Sequence, residues 1–156
     1  MRDGDAGVRV LAAEALWRIE AKSEPVLPIL LAGLTDEDPF VRGDAAHVIG
    51  LLGPAARKAL PKLLPLLKDA NDGVRIQTVE TIWRLDPTHK PSLSVLEAGL
   101  TNKDTLVRLE AIRVLADLGA DAADAAKSLQ VLLGDRHPEI RHAAAVALKK
   151  IEPAKK

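Results

Sequence analysis

Hydrophobic and polar residues recur along this chain at a fixed interval of 33 residues. The clearest marker is an apolar residue followed by arginine. Its apolar members are Val8, Val41, Val74, Val107 and Ile140, and no insertion separates any two copies. A fixed period of this length is typical of repeat architectures, in which each repeat is one supersecondary unit that packs against its neighbours.

Each marker lies near the start of a predicted helix of about four turns. Apolar or small residues follow it at four, eight and eleven positions, as do Ala45, Ile49 and Leu52 after Val41. These positions share one face of an α-helix, so the predicted helix is amphipathic. Four of the five residues that stand three positions before a marker are good N-caps: Asp5, Asp38, Asn71 and Asp104, with His137 as the exception.

A shorter set of apolar columns fills the rest of each repeat, as at Leu60, Leu63 and Leu67. Pro28 and Pro61 share a position in this second helix, which predicts a bend in two repeats. The sequence thus predicts an all-α protein of about nine helices, at 6–20, 24–34, 39–52, 55–68, 72–85, 90–101, 105–118, 121–133 and 138–151. Such helical hairpins cannot bury their apolar faces alone. We therefore expect residues 1–156 to form a single array, an α-solenoid with a right-handed superhelix.

The repeat also carries a family resemblance. A unit that reads Asp-x-x-Val-Arg-x-x-Ala-Ala, then Leu-Gly, then Ala-Leu-Pro-x-Leu-Leu resembles a HEAT repeat of the phycobilin-lyase-like class, best between Asp38 and Leu67. The resemblance covers about residues 5 to 152. In that family, the arginine of the marker and the acidic cap form a structural ladder between repeats. The resemblance implies such a ladder for Arg9, Arg42, Arg75, Arg108 and Arg141 with Asp5, Asp38 and Asp104, weakened at Asn71 and His137.

A longer period of 66 residues overlies the shorter one. Residues 14–20 match residues 80–86, so Trp17 and Trp83 occupy equivalent positions, where the other repeats carry Gly50 or Ala116. This indicates duplication of a two-repeat unit. A large residue that faces a small one is typical of interlocking packing, whereas an exposed pair of tryptophans would be typical of binding hot spots. Both interpretations of the tryptophans stay open.

The two end helices differ in character. The first helix has no preceding helix in its hairpin, so we expect Val8, Ala12, Leu16 and Ile19 to be only partly covered. Either the chain is a piece of an array that is longer at its N-terminal end, or the uncapped helix self-associates. The last helix carries His142 and Lys149, which are typical of a polar cap.

Composition excludes several classes of protein. Aromatic residues are 2% of the chain and hydrophobic residues 47%, so the core is aliphatic. Lys plus Arg and Asp plus Glu both number 22, which argues against a polyanion binder. The absence of cysteine excludes disulfides and thiolate metal sites. The sequence has no long apolar run and no signal-peptide pattern, so we predict no membrane span, with the cytoplasm as the default location.

The sequence lacks the common motifs of catalytic sites. No histidine belongs to a His-Glu-x-x-His motif, no glycine-rich loop could cradle a phosphate, and no serine lies in a nucleophile-elbow context. We therefore predict a protein that is not an enzyme and that has no catalytic residue, metal or cofactor.

The remaining candidate site is the solvent face of the longer helices, which line the concave side of HEAT arrays. Its mixed charges form i,i+4 pairs that a solvated helix would also show, so a solvated face and a partner surface are both considered. The candidate partner-binding residues are Glu14, Trp17, Arg18, Asp44, His47, Glu80, Trp83, Arg84, Glu110, Arg113 and Asp117.

These observations favour an interaction or scaffold module that binds a protein or peptide on its concave surface. The resemblance implies an alternative, an accessory subunit of a bilin lyase-like or other chromophore-handling enzyme. Some HEAT-like proteins are alkylpurine DNA glycosylases, but acidic residues such as Glu14 and Asp44 interrupt the basic groove that DNA binding needs. We therefore predict no nucleic-acid partner.

Overall fold

The computed structural model describes residues 5–86 and 93–151, and within these ranges the regular structure is helical, without β-strands. The predicted all-α fold is confirmed. The chain divides into two compact units, Met1–His89 (unit 1) and Lys90–Lys156 (unit 2). That residues 1–156 form a single array remains a prediction.

Unit 1 alternates long helices with shorter segments. Its long helices are α1 (Ala6–Glu20), α3 (Pro39–Leu52) and α5 (Asp72–Leu85). Between them lie α2 (Leu27–Gly33) and a composite segment made of a 3-10 helix (Gly53–Ala59), α4 (Leu60–Leu63) and a second 3-10 helix (Leu64–Lys68).

Unit 2 has the same alternation. Its long helices are α7 (Thr105–Leu118) and α9 (Pro138–Ile151), and its shorter segments are α6 (Leu93–Leu100), a 3-10 helix (Gly119–Ala125) and α8 (Ala126–Leu132). The five predicted long helices are therefore confirmed with the predicted bounds.

The second helices of the repeats differ from the prediction of about nine continuous helices. The predicted helix 55–68 is one α-helical turn between two 3-10 helices, because Pro61 and Pro65 supply no amide hydrogen for an α-helical ladder. The predicted bend at Pro28 is wrong, since Pro28 lies in the first turn of α2, where a missing amide costs nothing. The predicted helix 121–133 is a 3-10 helix followed by α8. Residues 90–92 of the predicted helix 90–101 lie outside the described residues.

The predicted caps begin four of the long helices. The side chains of Asp5, Asp38 and Asp104 each accept a hydrogen bond from the amide two residues later, at 2.8 to 2.9 Å. Asn71 accepts from Val74 at 3.1 Å. Gly53, at a φ of 62°, ends α3, and such a left-handed φ favours glycine.

Adjacent long helices of unit 1 interlock through small residues. Thr81 of α5 donates from Oγ1 to the carbonyl of Ala46 in α3 at 2.9 Å. This approach depends on Gly50, because a Cβ there would lie 3.1 Å from the Thr81 hydroxyl. Gly33 is equally confined at the junction of α1, α2 and α3, where a Cβ would lie 2.9 Å from that of Ala45. The packing of repeats in unit 1 therefore depends on glycine at positions 33 and 50.

The outer face of α1 is uncovered, as predicted. Val8 is 45% exposed, Leu16 is 36% exposed and Ile19 is 82% exposed, while Ala12 is half-buried. The opposite face of α1 carries Val10, which is fully buried against the core of unit 1. Helix α1 therefore carries apolar residues on its buried face and a second apolar stripe on its exposed face.

Candidate protein-interaction surface

An open groove of about 690 Å3 lies between α7 and α9 in unit 2. Its floor is apolar and its rim is charged. The floor is lined by Leu106, Leu109, Ile112 and Ala116 from α7 and by Ala143 and Val146 from α9. The rim consists of Glu110, Arg113 and Asp117 from α7 and His142 and Lys150 from α9. We call this feature the α7–α9 groove.

Local spacing explains how the groove forms. The lining residues of α7 follow one another at intervals of three and four, so they lie along one side of the helix. Ala116 and Ala143 are small, and Ala116 occupies the repeat position at which Trp17 and Trp83 stand in unit 1. Small side chains on both helices leave space that a tryptophan would fill.

A charge network links the two walls of the α7–α9 groove. Arg113 donates from Nε and Nη2 to Glu110 at 3.0 and 2.6 Å, and from Nη1 to Asp117 at 2.9 Å. The Nζ of Lys150 lies 3.5 Å from the other carboxylate oxygen of Asp117. The predicted Arg113–Asp117 pair is therefore present, and the rim charges balance. Exposed pairs of this kind contribute only about 0.2–0.5 kcal/mol each to helix stability.

Two large apolar residues of the groove are open to solvent. Leu106 is 73% exposed and Val146 is 41% exposed, although both lie beside a buried core that includes Ile112. Sequence reasoning missed these residues, together with His142 and Lys150 as rim residues. The available signal was the small residue Ala116 at a position that carries tryptophan in other repeats.

In unit 1 the predicted surface is only partly exposed. Arg18 donates to Glu14 at 2.9 Å from Nε and 2.6 Å from Nη2, and Arg18 lies largely in solvent. Asp44 is exposed and His47 is half-buried. These side chains share the solvent face of the long helices, as the periodicity predicts.

Glu80 corrects the predicted surface. It is 2% exposed, so its expected place on the solvent face is wrong. Its carboxylate accepts a hydrogen bond from half-buried Arg84, and Gln77 Nε2 lies 3.5 Å from its other oxygen. Helix α5 buries residues around most of its circumference, including Thr78 and Ile82, which leaves Glu80 no exposed side.

The tryptophans are intermediate in burial. Trp17 is half-buried and packs against the core of unit 1, and Trp83 is also half-buried. This placement favours the packing interpretation for Trp17, while a contribution of either indole to partner binding remains a prediction.

Arg42 pairs with an acid other than the cap that the family resemblance implied. Arg42 donates from Nε and Nη2 to the two oxygens of Asp69, both at 2.8 Å. The Arg42 hydrogen bond holds the pKa of Asp69 below its usual range, against the opposing effect of burial. Asp69 lies two residues before the next cap, whereas Asp38 caps its own helix. Asp5 and Asp104 are caps in the same way, and the ladder that the resemblance implied for these three residues remains a prediction.

Asp69 belongs to an acid series with the same 33-residue interval, Asp36, Asp69 and Asp135, in which Asn102 stands between Asp69 and Asp135. Arg108 Nε lies 3.8 Å from Asp135, a looser version of the Arg42 pair. Half-buried Arg9 lines one surface recess together with Asp5, Asp36 and Asp38.

The ladder arginines also close the loops that precede their helices. From Nη1, each of four arginines donates to the backbone carbonyls six and five residues earlier, at 2.6 to 3.3 Å: Arg42, Arg75, Arg108 and Arg141. These bonds satisfy carbonyls in the turn between repeats, so the arginines are structural in the described part of the chain.

Residues 5–86 and 93–151 contain no group of three or more histidine and carboxylate side chains placed to hold a metal ion. In the same residues, no helix is both long enough and apolar enough to cross a membrane.

Long helices capped at a 33-residue interval and backed by shorter segments define an α-solenoid repeat protein. The family described as HEAT repeats matches residues 1–83 and 93–156, and the chain belongs to this family.

Two solved structures are similar to the chain. An engineered protein from the Northeast Structural Genomics Consortium is 24% identical with a TM-score of 0.60, over 97% of this chain and 76% of that one. The complex of CpcE and CpcF of phycocyanin lyase from Nostoc sp. PCC7120 is 25% identical with a TM-score of 0.56, over 85% of this chain and 82% of that one. A search of curated proteins gave no match.

Proposed function

We propose that this chain is a non-enzymatic scaffold module that binds a protein or peptide through the face of its long helices. The observation that carries the proposal is the α7–α9 groove. Its apolar floor is open to solvent, and the positive and negative charges of its rim are equal in number. Apolar patches rimmed by polar residues mark interaction sites in soluble proteins.

The groove suits a helical segment of a partner. The eleven-residue step from Leu106 to Asp117 rises about 17 Å, roughly three helical turns. An amphipathic helix would place apolar residues at i, i+3, i+4 and i+7 on such a floor. Because Arg113 and Lys150 are balanced by Glu110 and Asp117, the rim offers no net charge that would attract a polyanion.

The candidate residues of unit 1 form a second proposed surface within that unit. Arg18 and Asp44 are exposed, and Glu14, Trp17 and His47 are partly accessible on the same side of their helices. Arg84 and Trp83 are partly accessible as well, whereas buried Glu80 serves to position Arg84.

Substitution within the groove tests the proposal. Partners captured with the wild-type chain are identified, and their affinities are then measured directly with Val146→Asp and with Val131→Asp. Val131 is the matched control, since it is an exposed valine on α8 in the same unit that does not line the groove. We expect Val146→Asp to weaken binding at least about tenfold and the control to leave it unchanged. Equal affinities for the two variants would refute the groove as the binding surface.

A second candidate function is an accessory role in a bilin lyase-like or other chromophore-handling enzyme. It is supported by the similarity to the CpcE and CpcF complex. Fold similarity places no catalytic residue on this chain, so the role would be in assembly. Co-expression with a bilin pathway should then give a coloured protein, and a purified chain without visible absorption would count against this role.

A further inference from the structure

The exposed stripe of α1 has the spacing of a helix that docks into a groove. Val8, Leu11, Ala15 and Ile19 are all exposed and follow one another at intervals of three or four. Leu11 is 58% exposed. Ala12 and Leu16 flank this line, so the apolar positions include i, i+3, i+4, i+7, i+8 and i+11, as in helices that bind grooves.

The α1 stripe and the α7–α9 groove match in length. The stripe runs from Val8 to Ile19, and the groove wall on α7 runs from Leu106 to Asp117, which are eleven-residue steps of about 17 Å each. One surface is a convex apolar helix and the other is an open slot with an apolar floor. Both belong to the same chain, so every copy would offer each of them to other copies.

Charge does not oppose contact between these surfaces. The edges of α1 carry Arg9, Glu14, Arg18 and Glu20, two cations and two anions. The groove rim likewise balances Glu110 and Asp117 against Arg113 and Lys150. Contact between them therefore relies on apolar burial, and we expect it to depend only weakly on salt.

The outer face of α9 is a poor cover for α1. In α1, Val10 and Trp17 pack towards the rest of unit 1. The residues at the same repeat positions of α9 are His142 and Lys149, and both are exposed. A copy that continued the stack by placing α9 against α1 would bury these polar side chains against Val8 and Ile19, at the cost of their hydration. The α7–α9 groove offers an apolar floor instead.

From these observations we infer that α1 of one copy binds in the α7–α9 groove of a second copy. The inference rests on the proposed function, because it assigns an occupant to the same groove. The contact is heterologous, since two different surfaces meet, so each copy has one donor helix and one acceptor groove. Copies therefore join head to tail, and the assembly grows with protein concentration.

Two complementary variants test this arrangement by sedimentation. Ile19→Asp removes the donor stripe and leaves the groove, whereas Val146→Asp impairs the groove and leaves the stripe. Ile19 and Val146 are both exposed, so neither substitution disturbs the buried core. Circular dichroism spectra of the variants check that they are folded. Val131→Asp is again the control.

We expect the wild-type chain and the Val131→Asp control to exceed the monomer mass of 16.7 kDa increasingly with concentration. Each of the other two variants alone should remain a monomer. Their equimolar mixture should form a 1:1 complex and nothing larger, because the mixture contains only one competent pair of surfaces.

Three results would overturn the inference: a wild-type chain that stays monomeric at about 100 µM, a Val146→Asp variant that still self-associates, or a mixture that forms no complex. The proposed function is tested separately. Ile19→Asp keeps the groove, so it should still bind a foreign partner even if the chain never self-associates.

Discussion

Arg42 and Asp69, which are 27 residues apart in the chain, form a bidentate ion pair that joins the start of α3 to the turn before α5. Both bonds are 2.8 Å, and both side chains are largely buried. Asp69 also accepts a hydrogen bond from the backbone amide of Asn71. One carboxylate thus fixes a turn and ties that turn to the preceding repeat, which makes the pair a connection between repeats within unit 1.

Asp69→Asn should lower the free energy of unfolding by about 2 kcal/mol, because largely buried Arg42 loses its anionic partner and one of the two acceptor oxygens. Asp135→Asn is the matched control, since Asp135 makes the same turn bond to His137 but lies 3.8 Å from Arg108. We expect a smaller loss there. Denaturant unfolding of both variants measures the difference, and equal losses would show that the ion pair contributes nothing beyond the turn.

Acid should weaken the Arg42–Asp69 connection in a defined direction. The pKa of Asp69 is lowered in the folded chain, so the folded state binds this proton less readily than the unfolded state. The resulting stability is present above the unfolded pKa of about 4 and is lost as pH falls through the lowered pKa. Between pH 5 and about 2, wild-type stability should fall more steeply than that of Asp69→Asn. Parallel pH profiles would contradict this assignment.

Two glycines should respond in opposite ways to alanine. Gly33→Ala places a Cβ 2.9 Å from Ala45 Cβ and 3.0 Å from Val10 Cγ2, so overpacking should cost about 1–3 kcal/mol. Gly43→Ala meets only Val74 Cγ2 at 3.9 Å, within α3. It should therefore gain up to about 1 kcal/mol from helix propensity. Thermal unfolding measures both, and a stabilising Gly33→Ala would contradict the described packing.

Equivalent acids of the 66-residue unit should differ in importance. Glu80→Ala removes the buried acceptor of the Arg84 hydrogen bond and should cost about 2 kcal/mol. Glu14→Ala removes a pair whose arginine is largely exposed and should cost less than about 0.5 kcal/mol. Chemical denaturation compares the two variants. Similar losses of stability in the two variants would contradict the burial of Glu80.

The long helices could be predicted because their signals are local. A cap such as Asp38, an apolar step such as Val41 to Ala45, and a terminal glycine such as Gly53 each act within a few residues. The burial of Glu80 could not be predicted in this way. Glu14 occupies the same position in the 66-residue unit, and only the packing around each helix distinguishes the two residues.

The same limit explains the ladder and the groove. Asp69 recurs at 33 residues as regularly as the caps do, but its partnership with Arg42 depends on how the turn lies against the preceding repeat. The α7–α9 groove is a space between helices, and periodicity describes residues rather than the gaps between them. The signals of that space in the sequence are two small residues, Ala116 on α7 and Ala143 on α9.

The composite segment Gly53–Lys68 is longer than a continuous α-helix of the same residues would be. A 3-10 helix rises about 2.0 Å per residue and an α-helix about 1.5 Å, so each residue that changes geometry alters the span by about 0.5 Å. Leu63 and Leu66 keep their buried positions across the junctions between the two geometries. Because Pro61 and Pro65 hold the segment in this mixed form, its 3-10 turns give a longer connection between α3 and α5 than a continuous α-helix would, while these leucines stay in the core.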